Sequence, residues 1–426
     1  MNGVPGVLRG MDDGIMPIDR LKAVLAQQVA GLETHGTAKG RESVVEAVLP
    51  PSGERGPRFR LHGEGDREFI RMNSNSYLGM GLRREVIEAE EAATAKWGAG
   101  PGAVRFISGT YAPHVELEAR LAAFHGRDAG MIFSSAYATV VSVIVPLITD
   151  GTVLVSDELN HNCIINAMRL ARPSEKIIYR HCDMDALDAA LARAAGKAAR
   201  AVVVTDGIFS MRGDHAPLDR IMEIAARHDA SYPENVLVIT DDSHGVGAFG
   251  RTGRGTEEFT NATSDVLVAT LGKALGVNGG YVVAPAEAIR FLRETSPMYI
   301  YSNPITVGEA AAALRALAIL DSAEGRVLLD RLRALTQRFE GGLVRLGFEI
   351  IAGAHPIVPL MVRDTARTRA LVAHLRSNGV LATGLAYPVV PRGDEEIRFQ
   401  VNADHTDADI DTVLEVLASF RDRAST

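Results

Sequence analysis

Between about Val86 and Leu320 the chain repeats one pattern: a short β-branched run, a polar residue, then enough chain for a helix. The runs include TVLVSD, EKIIYRH, ARAVVVTDG, NVLVITDD and DVLVAT. Each ends in or beside Asp, Thr, Ser or His. A sheet with one face in water would alternate apolar and polar residues. These runs are nearly continuous, which predicts a mostly parallel sheet covered by helices on both faces. Such sheets carry their chemistry just beyond the carboxyl ends of their strands. The polar residues that follow the runs are therefore the ones to inspect.

The flanking regions read differently. Residues 17–35, PIDRLKAVLAQQVAGLETH, carry apolar positions at helical spacing and predict an amphipathic helix lying on a partner subunit. Residues 50–66 are rich in Pro, Gly and charge and read as a loop, with a hairpin near Arg58–Ile70. Residues 305–340 read as helical. After about Leu343 comes a smaller α/β unit: FEIIAG, IVPLMV, a helix near 367–378, EEIRFQV and a last helix from about Asp407. This divides the chain into an N-terminal segment (1–72), a large domain (73–320) and a small C-terminal domain (321–426). There is no internal repeat.

Charge and cysteine usage narrow the setting. A net charge of -8 argues against a basic nucleic-acid binder. The two cysteines, Cys163 and Cys182, cannot make a disulfide framework or a four-cysteine zinc site, so a reducing cytoplasm is expected. The first twenty residues show no apolar core of a secretory signal. The most apolar stretch, Ala136 to Ile148, falls short of the roughly 20 residues of a membrane span and contains Ser142 and Pro146. It reads as a buried helix.

Several strand ends carry candidate chemistry. In DVLVATLGKALGVNGGYVV, Lys273 follows a buried run and sits in a glycine-containing turn. A lysine there is costly to bury unless paired or used covalently, and an aldehyde cofactor would take it as a Schiff base. A solvated loop lysine fits the segment equally well. In VLVITDDSHGVGAFG, Asp241 could pair with a protonated pyridine nitrogen and His244 with an adjacent ring oxygen. The tandem acids also suit a divalent ion or a helix cap, although no convincing set of further metal ligands accompanies them. In VLVSDELNHNCIINA, His161 could stack on a cofactor ring and donate to a developing oxyanion. In FSSAYATV, the backbone N–H groups of Ala136 and Tyr137 could hold a phosphate, with Tyr137 packing on the ring. Thr270 and Ser210 could complete these contacts, and Arg398 could pair with a substrate carboxylate. Taken singly, a satisfied loop histidine, a plain helix start and a surface arginine remain open for these residues.

Taken in order along the chain, NSNSYLGM, AVRFISGTYAPHVELEARLAAFHG, SDELNH, TDGIFSM, DDSHGVGAFGRTGRG, TLGKALG, YIYSNP and YPVVPRGDEEIRFQVNADHT resemble the α-oxoamine synthases. These are pyridoxal-phosphate enzymes of fold-type I. The resemblance runs from about residue 20 to about 420. It implies a large domain around a seven-stranded, mostly parallel sheet, a smaller α/β domain, and a homodimer with shared active sites. It implies pyridoxal 5'-phosphate bound as a Schiff base to Lys273, which is also the base at Cα. Asp241 would face the pyridine nitrogen, His244 the ring oxygen, and His161 the ring face. Ser210 would touch the cofactor, while Ala136, Tyr137 and Thr270 hold its phosphate. Ser302 and Asn303 would reach the neighbouring subunit's phosphate. Asn75 and Arg398 would hold an amino-acid carboxylate. The implied reaction joins a small amino acid to an acyl thioester, carried by CoA or a carrier protein.

Some lining positions depart from that pattern. The usual SMDG reads Ser210-Met211-Arg212-Gly213, and the usual HAS reads His161-Asn162-Cys163. An expected Ala-Asn pair reads Thr139-Val140, and a serine before the final HT motif reads Asn402. The expectation is that the cofactor machinery is kept and the substrate pair differs, with Arg212 facing an anionic group on a substrate or carrier. A lyase, racemase or decarboxylase using the same cofactor stays open, as does a non-catalytic regulatory protein.

Overall fold

A computed structural model describes residues 17–424. At its centre is a seven-stranded sheet. In chain order its strands are β1 (Ala129–Phe133), β2 (Thr152–Asp157), β3 (Glu175–Tyr179), β4 (Arg200–Asp206), β5 (Asn235–Asp241), β6 (Val266–Thr270) and β7 (Gly280–Ala284). Their spatial order is β1-β7-β6-β5-β4-β2-β3. Strand β7 runs antiparallel to both β1 and β6, and the remaining pairs are parallel.

Both faces of this sheet are buried, as the apolar runs require. On β4, Val202 and Val204 pack into one core with the helices Ala136–Leu147 and Asn162–Leu170. Ala201 and Val203 of the same strand pack into another core, with the helices Met184–Ala194 and Leu218–His228. The segment Ala136–Leu147 is thus a covering helix of the sheet. Among the described residues no helix is long and apolar enough to cross a membrane.

The C-terminal part has a four-stranded antiparallel sheet in the order Glu349–Ile350, Ile357–Met361, Glu396–Gln400 and Thr383–Leu385. The helices Ala323–Arg345, Thr365–Ser377 and Asp407–Ala424 accompany it. The N-terminal segment is tied to this part. Ile70–Arg71 pairs in parallel with Val380–Leu381, and the buried Arg58 forms an ion pair with Asp409. The expected hairpin near Arg58–Ile70 amounts to one bridge, Phe59 to Phe69, while the full ladder of Arg58–Leu61 is with Val45–Leu49. The helix Pro17–Thr34 exposes Ile18, Leu21, Val24, Leu25, Val29 and Leu32.

A buried charge network anchors the β1 edge. The carboxylate of Glu118 accepts from Arg105 at 3.0 and 3.1 Å, from Arg293 at 2.7 Å and from the backbone N–H of Ile132 at 3.0 Å. Removing one member of such a network leaves the others charged and unpaired. Glu118→Ala is expected to destabilise the fold by about 3–5 kcal/mol in denaturant titrations. A loss below about 1 kcal/mol would show that the two arginines find water instead.

Candidate active site

Strands β6, β5, β4 and β2 lie side by side and end in Thr270, Asp241, Asp206 and Asp157. Above them one cleft is lined by Ala136, Tyr137, His161, Cys163, Asp206, Ser210, Asp241, His244 and Lys273, among others. Segments more than a hundred residues apart in sequence meet there because the sheet brings their strand ends into one row.

Lys273 sits in the turn that joins β6 to β7. The hydroxyl of Thr270 closes this turn, accepting from Gly272 N at 3.0 Å and donating to Gly279 O at 3.2 Å. Gly276 has φ +73°, and a Cβ there would lie 2.2 Å from Gly81 N, so only glycine fits. Burial pushes the Lys273 amine below its usual pKa, against the opposing pull of Asp241 and Asp206. A depressed amine is the form that can act as nucleophile and base.

The tandem acids divide their roles. Asp241 lines the cleft, and its Oδ1 accepts from Ser243 N at 3.1 Å. Asp242 is fully buried and turns to Thr256, accepting from its N at 2.6 Å and its Oγ1 at 2.7 Å. Burial raises Asp242 to about 7. Its carboxylate fills space against Gly207, Gly245 and Gly255, where a Cβ would come within 2.2, 2.1 and 1.9 Å of it. Asp242 therefore shapes the turn, and Asp241 faces the cleft.

His161 caps the helix Asn162–Leu170, its Nδ1 accepting from Cys163 N at 3.2 Å. Its own backbone N–H donates to Asp206 at 2.9 Å. Asp206 N in turn donates to Asn160 Oδ1 at 2.8 Å, and Asn160 Nδ2 donates to Ser156 Oγ and Val204 O, both at 2.8 Å. This network fixes where the ring stands. Burial lowers the His161 pKa; Lys273 adds to that and Asp241 opposes it. His244 is buried, with Nδ1 2.7 Å from the Tyr77 hydroxyl. Burial, with Lys273, holds it well below the usual histidine range, so it is neutral at neutral pH.

The start of the helix Ala136–Leu147 supplies donors. Ser135 caps it by accepting from Ala138 N at 3.1 Å, so the N–H groups of Ala136 and Tyr137 have no partner within the helix. Strand β7 passes close beneath: a Cβ on Gly280 would lie 2.4 Å from Ala136 N. The Tyr137 hydroxyl is engaged with Asn162 and Asn166. Arg398 donates to Ser210 O at 2.9 Å, and burial lowers its pKa. Asn75 Oδ1 accepts from the Tyr77 hydroxyl at 3.5 Å.

Some expected residues stand apart. Thr270 uses its hydroxyl within the Lys273 turn and does not line the cleft. Ser302 and Asn303 lie beyond both this cleft and the one beside it. Arg212 is exposed and bonded to Asp214 at 2.8 Å, away from both clefts. Its guanidinium belongs to a chain of charges rather than to the space around Lys273.

Sequence reasoning did not single out Tyr77, Asp206 or Arg71. Tyr77 is fully buried at φ +40° and links Asn75 to His244. Asp206 ends β4, and the strand-end rule that selected Asp241 could have found it. A second cleft, also lined by Lys273, contains Arg71, Ser74, Ser76, Asn402 and Asp404. Arg71 stacks 4.1 Å over the Phe59 ring and reaches Ser76 Oγ at 3.3 Å. Asn402 is buried, and its Oδ1 has no hydrogen-bond partner.

The Arg212 chain continues through His181, which lies 3.1 Å from Asp157 and 3.2 Å from Asp214. Burial opposes a charge on this ring, but the hydrogen bonds of both carboxylates outweigh it and push the pKa up to about 11. A pKa raised on folding adds stability that is complete below the unfolded value, near 6.5, and fades as pH rises towards the folded value. Unfolding titrations are therefore expected to show stability falling between about pH 6.5 and 11. His181→Asn should flatten that slope. An equal slope in parent and variant would assign the proton uptake to another group.

Residues 67–417 match the aminotransferase class I and II family, and the chain belongs to that family of pyridoxal-phosphate enzymes. Within it the chain is an α-oxoamine synthase of fold-type I. It is 35% identical over 399 residues to the mitochondrial 2-amino-3-ketobutyrate coenzyme A ligase of Homo sapiens, covering 93% of this chain and 91% of that protein. It is 39% identical over 370 residues to the 8-amino-7-oxononanoate synthase of Symbiobacterium thermophilum, covering 85% and 90%. Among solved structures, the serine palmitoyltransferase of Sphingomonas wittichii superimposes with a TM-score of 0.85 at 26% identity, covering 96% of this chain and 99% of that one. The cleft fits pyridoxal 5'-phosphate: free N–H groups at a helix start suit its phosphate, Lys273 its aldehyde and Asp241 its ring nitrogen.

Proposed function

We infer that the protein is an acyltransferase that condenses a small amino acid with an acyl thioester, delivered by CoA or a carrier protein. The observation that carries this reading is the convergence of Lys273, Asp241, His161 and His244 on one cleft. The relatives include a coenzyme A ligase and a palmitoyltransferase, which favours acyl transfer over a lyase, decarboxylase or racemase. When bound, pyridoxal 5'-phosphate supplies an electron sink for the carbanion at the amino acid's Cα.

The chain's own residues supply the rest. Lys273 Nζ takes the Cα proton, a task helped by the burial that lowers its amine below the usual pKa. Asp241 holds a proton on the ring nitrogen. His161 covers the ring and donates a hydrogen bond to the thioester oxygen as charge develops there. Neutral His244 and Ser210 meet the ring oxygen. The N–H groups of Ala136 and Tyr137 hold the phosphate, and Thr270 supports them through the turn it closes. Asn75 and Arg398 take the amino acid's carboxylate. The donor's acyl group enters beside Lys273, past Arg71 and Asn402.

The reading includes a cytoplasmic homodimer in which Ser302 and Asn303 reach the neighbour's phosphate. Support comes from exposed apolar residues that include Phe106, Ile107 and Tyr301, the last 81% exposed. In this arrangement the chain divides into an N-terminal segment (1–72), a large domain (73–320) and a small C-terminal domain (321–426).

The test is the visible absorption of the purified protein, with single amino acids added first and acyl-CoA second. One amino acid should shift the band, and acyl-CoA should then change it again and yield a ketone product. A band that answers amino acids but no acyl-CoA or acyl-carrier protein would overturn acyl transfer. His161→Phe keeps a flat ring and loses the donor. It is expected to lower kcat by about 10²-fold with little change in cofactor affinity. An unchanged kcat would remove the oxyanion role.

A further inference from the structure

Cys163 stands between the two groups that face the cofactor ring. It is buried in the first turn of the helix that His161 caps. Its Sγ lies 2.9 Å from His161 Nδ1 and 3.6 Å from Asp241 Oδ2. Its backbone N–H donates to the same Nδ1 at 3.2 Å. Burial, with Asp241 and Asp206 nearby, pushes the thiol pKa up, so the sulfur keeps its proton and acts as a donor.

We propose that Cys163 is a positioning residue: its thiol ties His161 to Asp241, while its backbone N–H sets the tautomer of the imidazole. Nδ1 accepts from the Cys163 backbone, so the proton of the neutral ring sits on Nε2. The thiol proton has two acceptors within reach, the Asp241 carboxylate and Nδ1, and in either case Nδ1 stays unprotonated. Nε2–H is then the ring's donor, which is the tautomer an oxyanion requires. Toward Asp241 the thiol is a weak donor. It steadies Oδ2 without bringing the positive charge that a lysine or arginine would, so the carboxylate keeps its charge for the ring nitrogen. A hydroxyl in this place would be a stronger donor. The thiol therefore marks a softer hold on Asp241 in this chain.

The proposal rests on the cofactor site above and not on the acyl donor. Its test uses the holoenzyme of the parent, Cys163→Ala and Cys163→Ser, with no acyl donor present. The readouts are the pH midpoint of the visible cofactor band, its circular dichroism and the melting temperature. Cys163→Ala is expected to move the midpoint by about half a pH unit or more and to weaken the visible dichroism. Cys163→Ser, which keeps a donor, should return both towards the parent. Two results would overturn the proposal. One is an unchanged band in Cys163→Ala with only a lower melting temperature, which assigns packing alone. The other is an equal shift in both variants, which shows that the donor is not what matters. Failure of acyl transfer would leave these readouts intact.

Discussion

Lys273→Ala is expected to lose the visible band of the covalently held cofactor and to lower kcat by about 10⁴-fold or more. The size follows from two functions on one nitrogen. In the proposed function the amine forms the covalent link, and the same Nζ moves the Cα proton. Alanine removes both, while the turn around it, held by Thr270, Gly272 and Gly279, keeps its hydrogen bonds. The variant should therefore remain folded and still bind the cofactor non-covalently through the phosphate donors at the start of the helix Ala136–Leu147. Absorption spectra, far-ultraviolet circular dichroism and single-turnover rates check this together. A variant that is folded, keeps the parent band and retains its rate would remove the Schiff-base assignment of Lys273.

Asp241→Asn is expected to lower kcat by about 10³-fold while the cofactor still loads on Lys273. Asparagine has nearly the same shape, so the backbone of β5 and the Ser243 contact should survive. What disappears is the negative charge that, in the proposed function, keeps a proton on the ring nitrogen. Without that proton the ring is a poor electron sink, and Cα–H cleavage slows most. Solvent exchange of the amino acid's Cα proton, followed by NMR, reads this step without an acyl donor. Exchange within about threefold of the parent rate would show that the ring nitrogen is held by another group.

The central sheet was legible because burial on both faces leaves a strong mark. Runs such as ARAVVVTDG have no polar face to offer water, and the structure places their alternate residues in cores on opposite sides of the sheet. The antiparallel direction of β7 was less legible, since an apolar run carries no sign of its direction. The strand Val45–Leu49 left little mark, because its residues are mostly exposed and its partner lies across a loop.

The same contrast holds at the cleft. Lys273, Asp241, His161 and His244 could be selected because each follows a strand end, and a parallel sheet gathers its strand ends in one row. Sequence picked Asp241 as the strand-end acid but could not show what its neighbour Asp242 does. Packing against Gly207, Gly245 and Gly255 turns one inward to Thr256, and the other is left to the cleft. Nor could it show that Arg212 meets Asp214, or that Cys163 reaches Asp241 from seventy-eight residues away. The chain by itself determined the layered α/β sheet and the residue types at its strand ends, because burial and strand-end placement act locally along the run. Which side chains touch, and which charge is left free for chemistry, was decided by the tertiary structure alone, because those contacts depend on distances between elements that no local pattern encodes.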